Sequence, residues 1–259
     1  MRLVGEKPAR GDPHLRGRRG REPRADREIL IPYSAFRIPD STTMSNPVSI
    51  PRNLLFRCKF GCPRLKAEPK GFAQFDPAGE VPLLGLFEGQ HPYARLRCGW
   101  MDEAFFLGLS VRGKTQSLWV KPSQPLESDG MQFWIDTRDT HNVHRATRYC
   151  HWFVACPSPV GGRESASCGM LRINRAKEDA PTINRGKVVS SGSLVAGGYD
   201  LMLKIPASLL NGWSPQEQRL IGFSAAVIDR ELGWNTLGVG SDLPLAEDPS
   251  LWSTLELLG

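Results

Sequence analysis

Alternation with a period of two, recurring in short segments along most of the chain, is the feature that most restricts its fold. In Phe105-Phe106-Leu107-Gly108-Leu109-Ser110-Val111, every other residue is a large apolar one. Successive side chains of an extended strand point to opposite faces, so Phe105, Leu107, Leu109 and Val111 share one side. Met131, Phe133 and Ile135 repeat the pattern, with Gln132, Trp134 and Asp136 opposite them. So do Tyr199, Leu201, Leu203 and Ile205, a run that Pro206 closes because proline has no N–H for the ladder. Ile221, Phe223, Ala225 and Val227 form a further strand, and Leu251, Ser253, Leu255 and Leu257 a final one.

Long helical periodicity is absent from the sequence. The best helical segment is a short turn at Ala207–Leu210, stopped by Asn211-Gly212. The Gly-, Ser- and Pro-rich stretch from Pro157 to Gly169 reads as a long loop. Many strands without alternating helices predict an all-β fold, a mostly antiparallel two-sheet β-sandwich of jelly-roll-like type with short helical turns. With 40% hydrophobic and 23% charged residues, the chain has the composition of a globular protein with its own core.

The net charge of +6 is unevenly placed. Residues 1–43 hold ten Lys or Arg against six Asp or Glu, and the rest is nearly balanced. This basic N-terminal tail has the composition of a disordered extension, and Met44 behind it is the expected true start of translation, leaving 44–259 as the domain. No specific nucleic-acid partner follows from a basicity confined to a tail. No run approaches the ~18 apolar residues of a membrane span, and no apolar signal core follows the N-terminus. The six cysteines form no dense framework, so reduced thiols and a cytoplasmic location are expected.

The densest polar segment runs from Asp136 to His151 and contains three of the five histidines. Asp136, Asp139 and Asn142 offer oxygens of the kind that bind calcium, without EF-hand spacing. His141, His144 and Cys150 are transition-metal donor types without a recognised zinc spacing. A purely hydrogen-bonded loop is the third reading. Trp134, Gln132, Arg138 and His144 are the candidate ligand-binding residues, because Trp134 shares the polar side of its strand with Gln132 and Asp136. No Gly-x-Ser-x-Gly, Walker, His-Glu-x-x-His or dinucleotide motif is present.

Three segments carry a family resemblance: Ser128-Asp129-Gly130-Met131-Gln132-Phe133-Trp134-Ile135-Asp136, the Tyr199–Leu210 strand with its Ile-Pro turn, and Ile221–Asp229 followed by Asp248–Leu257. Together they resemble the family 9 carbohydrate-binding modules and the wider DOMON-like sandwiches over about Leu83 to Gly259. The resemblance implies a non-catalytic binding domain with a carbohydrate as its partner, and calcium as the cofactor that braces loops. Where that family carries aromatic residues, this chain has Pro125-Leu126-Glu127-Ser128 and Val239-Gly240-Ser241-Asp242. The alternatives are a metal-dependent enzyme built on Asp136–His151, or a DOMON-like haem binder using Met202 or His151 as axial ligand.

Overall fold

A computed structural model describes residues 58–84, 91–158, 166–181, 187–240 and 243–259. The basic tail and the expected start at Met44 lie outside the described residues. The described residues form twelve strands: β1 (Lys59–Pro63), β2 (Glu80–Val81), β3 (Ala94–Met101), β4 (Ala104–Arg112), β5 (Gly130–Asp136) and β6 (Cys150–Pro157), then β7 (Ala166–Leu171), β8 (Val189–Val195), β9 (Gly198–Pro206), β10 (Leu220–Asp229), β11 (Gly233–Thr236) and β12 (Ser253–Leu258). One sheet has the order β1-β12-β10-β5-β6-β7, with β11 also paired to β10. The other has the order β2-β3-β4-β9-β8. The β1–β12 pair is parallel and the other named pairs are antiparallel. Helical structure among the described residues is limited to short 3-10 turns, including Ala207–Leu209.

The alternating residues line the interior. Phe105, Leu107, Leu109 and Val111 of β4 pack in one buried cluster with Met131, Phe133 and Ile135 of β5 and with Tyr199, Leu201, Leu203 and Ile205 of β9. Phe133 and Phe153 stack within the larger sheet at 5.0 Å, and Phe105 of the smaller sheet lies 6.0 Å from Phe223 of the larger. Each such side chain contributes roughly 1.5–3 kcal/mol by leaving water. That contribution fixes register, since a slip by one residue would turn the whole apolar set outward.

Two sequence expectations change. Ala166–Gly169 is part of β7 and not of a loop. An edge strand needs little more than backbone pairing, here with β6, so small polar residues suffice. The central strands are also buried on both faces, where alternation predicts one wet side. Over the smaller sheet lies a cluster of Phe75, Ala104 and Phe106, with Leu65 and Met202 against it. Gly108 makes room there, since a Cβ on it would stand 2.6 Å from the Phe75 ring. The larger sheet is covered by Ile173, Val239, Leu245 and Trp252.

Gly130 opens β5 at φ +153, and a Cβ there would fall 2.2 Å from the carbonyl oxygen of Ala155. Gly130→Ala must therefore push β5 away from β6. The expected loss is roughly 1–3 kcal/mol, read as a lower urea midpoint at unchanged slope.

Candidate functional site

The register of β5 on β10 sets Gly130 opposite Ile228, so the next residues outward, Asp129 and Asp229, meet at the same end of the larger sheet. The β10–β11 turn, the end of β4 and the 115–129 segment converge there. Past β4, Gly113 at φ +94 turns the chain so that the Lys114 side chain enters this end. Its Nζ donates to Asp229 Oδ2 at 2.6 Å and to Asp129 Oδ2 at 3.1 Å, and Glu231 Oε2 stands 3.8 Å away. The Lys114 side chain is 3% exposed, and those of Asp129 and Asp229 are fully buried. Burial opposes the charge on Lys114, but its bonds to Asp229 and Asp129 prevail and the ammonium's pKa is raised.

The carboxylates also hold the loops. Asp129 accepts from the backbone N–H of Trp119 at 2.9 Å and of Arg230 at 2.8 Å. Asp229 accepts from the N–H groups of Glu231 and Leu232 at 2.9 and 3.0 Å. Glu231 accepts from Thr115 N and Gln116 N, both at 2.9 Å, and from the Thr115 hydroxyl. That hydroxyl, followed by the Gln116 amide, brings the Glu231 carboxyl down to about 2. Beside them the Tyr93 hydroxyl donates to Gly233 O at 2.7 Å, and Asn235 Nδ2 donates to His91 O at 2.7 Å.

Two tryptophans ride on this braced end. Trp119 is 38% exposed and Trp234 36%, while the other five tryptophans are buried or half-buried. The Arg230 guanidinium lies 3.8 Å from the Trp119 ring centroid, and Lys121 Nζ lies 4.9 Å from it. An indole held at the surface among polar side chains, on loops pinned by buried charges, is a pre-organised contact surface. Sequence reasoning passes over both residues, because neither sits in a long alternating strand. The available signal was Trp between loop residues, before Lys121-Pro122 and after Gly233.

The residues singled out from sequence lie elsewhere. Trp134 is 3% exposed and stacked on Trp152 at 5.9 Å, beneath the apolar cover, so it offers no open platform. The indole nitrogens of both, and Ser224 Oγ across the strand from Trp134, are buried without a hydrogen-bond partner. Gln132 is also buried on that side. Arg138 is exposed and lies 4.7 Å over the Tyr149 ring. His144 is exposed, with Nδ1 3.1 Å from Asp248 Oδ2.

Asp136, buried at the end of β5, accepts from Arg138 N at 3.0 Å and Thr140 N at 2.7 Å, so it closes its own loop. Asp139 contacts His141 Nε2 at 2.8 Å and the Thr254 hydroxyl at 3.0 Å, and burial, ahead of these partners, raises its pKa. Asn142 is exposed. Among the described residues, no three His, Cys, Asp or Glu side chains are grouped to hold a metal ion. His151 and Met202 do not meet: His151 stacks on Phe153 of the interior, whereas Met202 packs in the cluster outside the smaller sheet.

No family model matches the chain, and no curated protein matches it. Among solved structures it is similar to a family 9 carbohydrate-binding module from Caldicellulosiruptor kristjanssonii in complex with cellotriose. That match has 15% identity and a TM-score of 0.48, covering 78% of this chain and 94% of that one. A family 9 module from the same organism in complex with glucose matches at 12% identity and a TM-score of 0.47, covering 78% and 96%.

Proposed function

We propose that the chain is a non-catalytic binding module for carbohydrate, and that its ligand rests on Trp119 at the β10–β11 end. The observation that carries this reading is an exposed indole whose backbone is fixed from both sides, by Trp119 N on Asp129 Oδ2 and by Asp129 N on Trp119 O at 2.8 Å. The apolar C–H face of a pyranose stacks on such a ring, and neighbouring polar groups meet the hydroxyls. Trp234, on β11, is a second exposed indole, paired in register with Ile228 of β10. A surface organised in advance loses little conformational entropy when a ligand arrives.

Calorimetric titration with glucose, cellotriose and acidic sugars tests the proposal. Trp119→Ala should weaken binding about tenfold or more, roughly 1.4 kcal/mol, with a modest fall in the unfolding midpoint, since the residue is 38% exposed. Trp134→Phe should leave affinity unaltered, since that ring lies under the cover. Absence of heat with every saccharide, or an unaffected Trp119→Ala variant, would reject the reading.

A further inference from the structure

We infer that the saccharide this end takes is an acidic one, its carboxylate held by Arg230 and its ring seated on Trp119, an inference that rests on the carbohydrate reading above. The reason is a pair of cations that, among the described residues, have no ion-pair partner. Arg230 sets its guanidinium carbon 3.8 Å over the Trp119 ring, a contact that uses none of its N–H donors. Among the described residues its side chain has no hydrogen bond and no ion pair, and the residue is exposed. Its backbone is nevertheless fixed by Asp129 Oδ1 at 2.8 Å. Lys121 Nζ flanks the same ring and, among the described residues, bonds the neutral Gln124 Oε1 at 3.2 Å and no carboxylate.

The neighbouring carboxylates are already committed. Asp129 and Asp229 both bond Lys114 and accept from four backbone amides, and Glu231 is taken up by Thr115 and Gln116. Two cations therefore border one exposed indole, and among the described residues no carboxylate pairs with either. A carboxylate matches the guanidinium fork with two parallel N–H···O bonds, a geometry that a neutral hydroxyl does not reproduce. A pyranose bearing a carboxylate at C6, a uronate, supplies the apolar ring face and the anion in one molecule.

The test is calorimetric titration of the intact chain at low ionic strength, since exposed pairs are screened by salt. The probes are D-glucuronate, D-glucose, acetate and adenosine monophosphate, against the parent chain, Arg230→Gln and Lys121→Gln. Glucuronate should bind about tenfold or more tighter than glucose, with acetate weaker than either. Arg230→Gln should bring glucuronate down to the level of glucose while glucose itself changes little, and Lys121→Gln should remove a smaller part of the advantage. Equal affinity for the two sugars overturns the acidic ligand and leaves the carbohydrate reading intact. A preference that survives Arg230→Gln, acetate equal to glucuronate, or the nucleotide binding tightest also overturns it. No binding by any sugar removes both.

Discussion

Lys114→Met will cost about 3–5 kcal/mol of stability, the loss expected when one partner of a buried ion group is removed and its counter-charges stay behind. The substitution keeps the length of the side chain but strands Asp129 and Asp229, whose side chains are fully buried. Their backbone donors, at Trp119, Arg230, Glu231 and Leu232, belong to the loops that form the aromatic end. The expected measurement is a large fall in the urea midpoint together with a changed near-ultraviolet signal from tryptophan. Adding Asp229→Asn should return part of the loss, because the amide oxygen can still accept from Glu231 and Leu232 while one stranded charge is gone. A double-mutant cycle isolates that coupling. Additive single effects would show that Lys114 and Asp229 act independently, against the geometry.

Acidification from about pH 6.5 to about pH 4 will remove roughly 3 kcal/mol through His151 alone. Burial, ahead of its other contacts, lowers the imidazole's pKa from 6.5 to about 4. The ring is 1% exposed, its Nε2 accepting from Asn211 N at 2.9 Å and its Nδ1 facing Ile135 O at 3.4 Å. Between those two pH values the unfolded chain holds a proton that the folded chain refuses. Stability from this residue is therefore complete above about pH 6.5 and falls as the pH is lowered toward 4. Urea unfolding at pH 7 and pH 4.5 should show a steeper acid loss in the parent than in His151→Gln. The variant also loses about 1 kcal/mol at pH 7 from the disturbed bond to Asn211. Parallel pH profiles for the two proteins would refute the assignment.

Much of the architecture was legible because alternation is a local property. Whether Phe133 and Ile135 share a face depends only on the strand that contains them, so the interior of β4, β5, β9 and β10 could be named in advance. The same local logic placed Trp134 on the opposite side of β5, which is where it lies. It could not tell what covers that side. The cover includes Val239 and Leu245, from a stretch with no periodicity, and Trp252, whose indole N–H on Leu245 O at 2.9 Å ties it to that stretch. At Asp136 the residue type suits a cation, and only the fold shows that its oxygens accept from the turn that follows it.

The chain by itself settled the class of fold, the inward residues of the central strands, and the absence of a familiar catalytic motif. Tertiary structure decided which surfaces are covered and which aromatic rings stay in reach of a ligand. It also brought Lys114, Asp129 and Asp229 together, although the lysine is 15 and 115 positions from its partners. The physical reason is range. A strand's pattern is imposed by neighbours two residues away, whereas a buried charge group and an exposed indole depend on sheet register and on segments remote in the chain.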